Sequence, residues 1–327
     1  MLGHLGLLWF YMPYSSWIGL LLPVLFFVSG LVSYHCYLRY ASLTDYLYKR
    51  SIGIYLPYLI VALAILLVSL FIPQWDVGNF TRWLLIRPDT KELPFELGQV
   101  WFLRVLIIIV FLSAFIFALK NKGIYFAILL SLVVIVINSI IDVRNFFDVF
   151  SINFYLVFSN LYFFLLGSSF LLILKYDVLK ILKYIAIISL IVFIFCLFFW
   201  GYTNLNPLKR NPELTYVSGA TCLIAALMYY MHFVYRMCNQ FKLIKAVLNF
   251  CSNNSYSLFL LHTIVLGLSE LIIFTEPLTG NHKMAMLKLI LVLIGTAILA
   301  PPLTRLTRQA TLLCLGGTTK ASSQNKI

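Results

Sequence analysis

The residues of this sequence that could do chemistry are histidines and hydroxyls inside strongly apolar stretches. His262 lies in the apolar segment 255–274, and Ser255, Phe259 and Ser269 share its helical face. Polar side chains in membrane helices are costly and often mark a functional site, where a histidine can act as a general acid or base. The alternative is that these groups only hydrogen-bond neighbouring helices.

Cations beside the apolar stretches predict a second chemistry, the binding of phosphate. Lys49 and Arg50 precede one apolar segment, and Arg236 ends another. Such cations bind phosphate oxygens well, but they are equally typical of topology signals at cytoplasmic helix ends. Trp101 opens an apolar segment at the predicted outer interface, and Arg104 one turn deeper either holds an anionic group or snorkels outwards.

The composition decides the class of protein that must position these residues. Of the 327 residues, 62% are hydrophobic and 11% charged, which excludes a soluble globular, a disordered or a fibrous chain. The signatures GxSxG, P-loop and HExxH are absent, and the six cysteines form no CxxC pair, so no metal site is predicted. The chain is long enough for nine or ten helices of roughly 20 residues.

The apolar runs predict an all-α fold, a polytopic transmembrane helix bundle with nine full spans. An apolar stub at 2–12 precedes them and reads as a truncated first helix of a ten-helix architecture. We expect a single transmembrane domain over 1–315 and a short polar cytoplasmic tail over 316–327. The nine predicted spans are 17–38, 54–72, 100–119, 124–141, 154–174, 181–200, 214–235, 255–274 and 287–303.

The distribution of charge orients the bundle. The net charge is +13, and 15 of the 24 lysines and arginines fall in alternate loops that carry only two acids. The positive-inside bias places these loops and the C-terminus in the cytoplasm, and it replaces nucleic acid as the explanation of the positive charge. The location expected is a bacterial cytoplasmic (inner) membrane, with membrane lipid as a partner.

Small residues at helical spacing predict close packing of one helix, and a polar stripe marks another. Gly30 with Ser29 and Ser33 forms a small-residue face on the segment 17–38, which lets a neighbouring helix backbone approach closely. Asn153, Asn160 and Gly167 form a stripe on a later segment at steps of seven residues. This stripe indicates a partly hydrated or strongly hydrogen-bonded interior, and the alternative is that it only joins neighbouring helices.

Taken together, these segments resemble the acyltransferase 3 family of integral membrane acyltransferases, which modify surface polysaccharides, lipopolysaccharide O-antigen and nodulation factors. Residues 2–4 (LGH) look like the end of the family's first helix, residues 23–30 like its FFxxSG segment, and residues 48–57 like its cytoplasmic RRxxRIxxP motif. Residues 101–103 (WFL) and 255–262 (SYSLFLLH) resemble its WFL helix start and its SYSxYLxH helix.

The resemblance implies transfer of an acyl group, commonly acetyl, from cytoplasmic acyl-CoA (acetyl-CoA) to a hydroxyl of a cell-surface or lipid-linked glycan. His4 would be the general base, and His262 a second acid or base or an orienting residue. A covalent acyl-histidine is the alternative. Lys49, Arg50 and Arg236 would hold the phosphates of the donor, which is a substrate and not a bound cofactor.

Trp101, Arg104, Tyr256 and Ser29 are expected at a substrate or structural site. Two features depart from the family: an arginine early in the first helix is missing, and Gly53 stands where the motif has its second arginine. These departures keep open a degenerate, inactive relative. About ten helices with polar stripes would also suit a polysaccharide flippase, a small-solute transporter or a glycan polymerase, none of which requires an acyl-CoA site.

Overall fold

The apolar segments form a series of helices in a computed structural model, which describes residues 14–69, 100–141, 148–149, 152–174, 176–201, 205, 213–272 and 282–315. A 3₁₀ helix over Tyr14–Leu21 leads into the first of ten α-helices, and a two-residue hairpin pairs Asp148–Val149 with Ile152–Asn153. The α-helices are α1 (Leu22–Tyr37), α2 (Leu43–Ser69), α3 (Val100–Ala118), α4 (Lys120–Ile140), α5 (Phe154–Ile173), α6 (Val178–Trp200), α7 (Leu214–Tyr229), α8 (Met231–Gln240), α9 (Lys242–Ile272) and α10 (His282–Cys314).

Seven of these helices are long and apolar enough to cross a membrane, as far as the described residues extend. An eighth span exists if α7 and α8, which are bent by 58° at Tyr230, count as one broken helix. The prediction of an all-α polytopic bundle is therefore confirmed. The predicted span at 255–274 falls largely in α9, which is not among the seven and carries lysines and a run of Asn and Ser.

The described residues cluster into two compact units, and each unit combines distant parts of the sequence. Unit 1 comprises 47–104 and 249–315, which hold most of α2, the first turn of α3, most of α9, and α10. Unit 2 comprises 14–46 and 105–248, which hold α1, the rest of α3, and the helices α4 to α8. Both units are helical, and the chain passes between them inside α2, α3 and α9.

Unit 2 is organised around a very close crossing of α1 and α5. A Cβ atom added at Gly30 would lie 1.8 Å from the backbone oxygen of Phe164, and one added at Gly167 would lie 1.9 Å from the backbone oxygen of Phe27. The hydroxyl of Ser168 donates to the Gly30 oxygen at 3.1 Å. The small-residue face predicted around Gly30 is therefore a contact surface, and Gly167 of the polar stripe lies on the facing helix.

Side-chain hydrogen bonds connect the other helices of unit 2. The Tyr216 hydroxyl of α7 donates to the Gly19 carbonyl oxygen at 2.8 Å, and Ser139 of α4 accepts from the Leu214 backbone N–H at 2.8 Å. The second of these bonds satisfies an N–H at the start of α7 that has no partner within its own helix. Polar residues therefore join helices that hydrophobic burial in lipid would not by itself hold together.

Candidate active site

The helix that carries the cytoplasmic cations begins earlier than the hydropathy predicts. The span was expected to start at residue 54, but α2 starts at Leu43, where the Ser42 hydroxyl accepts from the Asp45 N–H at 3.1 Å. A serine at this position caps a helix by satisfying one of its first N–H groups. Lys49 and Arg50 consequently lie within α2, which fixes the direction of both side chains relative to the helix axis.

Pro57 lies in the interior of α2 and not in its first turn. Because proline has no backbone N–H, the carbonyl of Gly53 loses its usual helical donor. Gly53 is exposed, and a Cβ atom added to it would meet nothing within 4 Å. The position at which the sequence departs from the family motif is therefore an open point on the helix surface.

Tyr256 joins α9 to α2 within unit 1. Its hydroxyl donates to the carbonyl oxygen of Ile54, one turn beyond Arg50 along α2. The guanidinium of Arg50 acts electrostatically on the same hydroxyl. Tyr256 therefore contacts the segment of α2 that carries the cations. It precedes His262 by six residues on α9.

A series of aromatic contacts leads from Tyr256 to His262 and to the start of α3. The Tyr256 ring stacks on Phe259 with centroids 6.4 Å apart, and the Phe259 ring lies 5.9 Å from the His262 imidazole. Phe102 packs on the other side of this series, 5.3 Å from Phe259, and Trp101 lies 6.3 Å from Phe102. Three of the segments that resemble the family motifs therefore meet in unit 1.

His262 is held in one orientation and one tautomer by its own helix. Its side chain is 3% exposed, and Nδ1 lies 2.6 Å from the backbone oxygen of Phe259. A carbonyl oxygen can only accept, so Nδ1 carries the proton of the neutral ring and donates it. Nε2 then holds the lone pair, which is the arrangement that a general base requires.

Trp101 and Arg104 lie in the first turns of α3, next to the ring series of α9. Phe102, between them, packs on Phe259, which is three residues from Tyr256. The interfacial location of Trp101 and the two alternatives for Arg104 stay predictions. Arg104 is half-buried.

α10 packs against α9 and contributes a residue that the sequence reasoning missed. The Thr304 hydroxyl donates to Ser257 at 2.8 Å, and Gly295 faces Val265 so closely that an added Cβ atom would lie 2.9 Å from it. Lys288 is only 9% exposed in this helix. It is the one charged residue between 284 and 304, and a lone lysine in an apolar run is the signal that could have identified it.

The remaining predicted residues are His4, Ser29 and Arg236. His4 lies outside the described residues. Ser29 is half-buried on α1 in unit 2, beside the glycine that packs against α5, and Arg236 is exposed on α8 in unit 2. Among the described residues, no three His, Cys, Asp or Glu side chains converge in a way that would hold a metal ion.

Comparison with known proteins bears on what this cluster does. A search of the curated proteins and a search of the solved structures each find no match to this chain. A family model described as an acyltransferase domain matches residues 1–305, which is nearly the whole chain. That match includes the segments that meet around His262. The chain therefore belongs to the acyltransferase 3 family and is a membrane acyltransferase.

Proposed function

We propose that this chain transfers an acyl group, most simply acetyl, from cytoplasmic acyl-CoA to a hydroxyl of a cell-surface or lipid-linked glycan. The observation that carries the proposal is the link from Arg50 through Ile54 and Tyr256 to His262 in unit 1. It relates a cationic segment that suits the phosphates of coenzyme A to a buried imidazole that suits acyl chemistry.

The distance between Arg50 and His262 suits an acyl-CoA molecule bound in an extended conformation. Arg50 is one turn before Ile54 on α2, and His262 is six residues after Tyr256 on α9. Both helices run from the predicted cytoplasmic side outwards, so the two side chains are separated by about 15 Å along the helices. An extended pantetheine arm has the dimensions to reach from the phosphates at one end to the thioester at the other.

The chemistry proposed at the outer end is attack of a sugar hydroxyl on the thioester carbonyl. A histidine takes the hydroxyl proton, the carbon–sulfur bond breaks, and coenzyme A leaves as the thiol after receiving a proton. The resemblance assigns the base to His4, with His262 as a second acid or base or as an orienting residue. An acyl-histidine intermediate would use the same Nε2 lone pair as nucleophile.

The setting proposed for this reaction is a bacterial inner membrane with the C-terminus of the chain in the cytoplasm. The excess of cations in alternate loops supports that orientation. Arg236, on α8 of unit 2, is a further candidate for contact with the donor phosphates. Membership in an acyltransferase family favours acyl transfer over the flippase, transporter and polymerase hypotheses.

The donor site is tested by changing charge on one face of α2. We expect Lys49→Gln with Arg50→Gln to raise the KM for acetyl-CoA by about 10²- to 10⁴-fold, since charge-assisted hydrogen bonds to phosphate contribute about 1.5–3 kcal/mol each. We expect Gly53→Arg to lower that KM, because position 53 is open and lies one turn from both cations. The measurement is the rate of acyl transfer by purified protein against acetyl-CoA concentration.

The matched control for the donor variants is Arg305→Gln with Arg308→Gln. This pair is exposed on α10 of the same unit and on the same predicted side of the membrane. It should leave the KM for acetyl-CoA unchanged. An equal rise in KM for both pairs would show a general effect of surface charge and would remove Lys49 and Arg50 from the donor site.

The acceptor is tested on the surface polysaccharide itself. We expect NMR spectra of polysaccharide from a deletion strain to lack O-acetyl signals that return on complementation with the wild-type gene. Complementation with His4→Ala should not restore them, although the protein should still be found in the membrane. O-acetyl signals that are the same with and without the gene would refute the surface-glycan acceptor, and restoration by His4→Ala would remove His4 from the mechanism.

A further inference from the structure

The segment that follows α7 changes direction and contributes no buried side chain. α8 is bent by 58° from α7 at Tyr230, so it does not continue the direction of the preceding span. None of its side chains is buried, and the first two turns of α9 are exposed as well. We call residues 231–248 the amphipathic segment. The described part of the chain therefore does not cover this helix, which leaves its surface available to lipid or to another molecule.

The two faces of α8 have opposite character. His232, Arg236, Asn239 and Gln240 share one face, because steps of three and four residues return to the same side of a helix. The opposite face is formed by the apolar residues Met231, Val234, Met237 and Cys238, and Phe233 and Tyr235 flank it with exposed fractions of 64% and 67%. This is the pattern of a helix that lies in the plane of a membrane interface.

The start of α9 repeats the pattern. Its apolar side carries Leu243, Ile244, Val247 and Leu248, all of them exposed, while Lys242 and Lys245 lie on the other side. Leu243 is 77% exposed, which is unusual for a leucine without an apolar environment. The amphipathic segment therefore presents apolar side chains on both α8 and the first two turns of α9, which are joined through extended backbone at Phe241, with cations on the other side of each helix.

The positive charge of the amphipathic segment indicates which kind of molecule covers its apolar side chains. The amphipathic segment carries Arg236, Lys242 and Lys245, and no acidic residue occurs anywhere from Leu214 to Ser269. A protein partner would need to supply both an apolar groove and negative charge, whereas the acyl boundary and headgroups of an anionic leaflet provide both at once. The predicted cytoplasmic location of this region places it at the leaflet that carries anionic lipid.

We propose that the amphipathic segment lies in the membrane interface and binds the headgroups of anionic lipids. Its apolar side chains would insert at the headgroup–acyl boundary, and its cations would contact lipid phosphates at the surface. This role does not depend on acyl transfer. Bound lipid would hold the connection between α7 and α9 at a fixed depth in the membrane.

Lipid binding is measured by native mass spectrometry of the full-length protein in neutral detergent with added phosphatidylglycerol. A basic residue near an anionic surface contributes about fivefold to affinity, so Lys242→Gln with Lys245→Gln should weaken binding by about 25-fold. Phosphatidylcholine should bind weakly to both proteins. The control is Lys180→Gln with Lys183→Gln, an exposed pair on α6 with the same spacing, which should retain wild-type affinity for phosphatidylglycerol.

Equal affinity of the Lys242/Lys245 variant and the wild-type protein for phosphatidylglycerol would overturn the proposal. If the same variant also lost acetyl-CoA binding, measured in neutral detergent without phosphatidylglycerol, the cations would belong to donor phosphates instead. That outcome would leave the proposed acyltransferase function intact, so the two proposals fail separately.

The depth of α8 is tested with spin labels at two neighbouring positions. Cys238 is on the apolar face, and Asn239→Cys places a label on the polar face of the same turn. In liposomes with phosphatidylglycerol, the label at Cys238 should relax with oxygen and the label at position 239 with a water-soluble nickel complex. Oxygen relaxation at both positions would make α8 part of a broken span, nickel relaxation at both would place it in water, and either result contradicts the proposal.

Discussion

Replacement of His262 with alanine is expected to lower the rate of acyl transfer by about 10² to 10⁴-fold, the contribution typical of a positioned general acid or base. The structure gives the reason. His262 is buried, its Nδ1 donates to the Phe259 carbonyl, and Nε2 keeps the lone pair that would accept or transfer a proton. The measurement is the turnover of purified protein with saturating acetyl-CoA and acceptor.

Burial of His262 makes a folding defect the main competing cause of such a loss. His262→Gln addresses it, because a glutamine amide can still donate a hydrogen bond but has no basic nitrogen. We expect this variant to melt close to the wild-type temperature and to be as inactive as His262→Ala. Thr263→Val, at a neighbouring buried position whose hydroxyl only bonds to the Leu260 carbonyl, should keep its activity. Full turnover by His262→Ala would exclude His262 from the chemistry.

Alanine at either Gly30 or Gly167 is expected to destabilise the protein by more than about 3 kcal/mol, which is in the range of severe core changes. The added methyl group would overlap a backbone oxygen in the facing helix, and a backbone cannot move aside as a flexible side chain can. The crossing of α1 and α5 would have to open, and the Ser168 bond to the Gly30 oxygen would be lost with it. Thermal unfolding of detergent-solubilised protein measures the effect.

Gly53→Ala is the matched control for these two substitutions. Gly53 also lies within a helix, but its Cβ position is open, so alanine should raise stability by up to about 1 kcal/mol through its higher helix propensity. The same substitution is therefore expected to act in opposite directions at different glycines. A Gly30→Ala protein that melts at the wild-type temperature would show that the two helices are not in such close contact.

The class of the fold was determined by local composition. Apolar stretches of about 20 residues can satisfy their backbone only as helices in a membrane, so hydropathy alone predicts the bundle and most of its spans. The small-residue face around Gly30 was also readable as a packing surface, but nothing in the sequence paired it with Gly167. His262 was identifiable for a similar reason, because an ionisable side chain deep in an apolar segment is costly and by default indicates a functional site.

Helix boundaries and the contacts between helices were not determined in this way. Hydropathy starts the second span at residue 54, whereas the helix starts at Leu43 because the Ser42 cap and the polar first turns are stable outside the apolar run. The contact of Phe102 with Phe259 inside unit 1 was not readable either. Apolar residues are compatible with many neighbours, so only the folded structure shows which of them meet.

The sequence by itself determined that this protein is a helical membrane acyltransferase. It also showed that cations lie at the ends of apolar segments and that one apolar segment contains a histidine. Only the tertiary structure decided that Tyr256 joins the helix of Arg50 to the helix of His262, and that Phe102 packs against the same series of rings. The physical reason is that the periodicity of one helix shows which of its faces is apolar, but not which helix packs against that face. Which helices meet depends on the shapes and hydrogen-bonding groups of both partners.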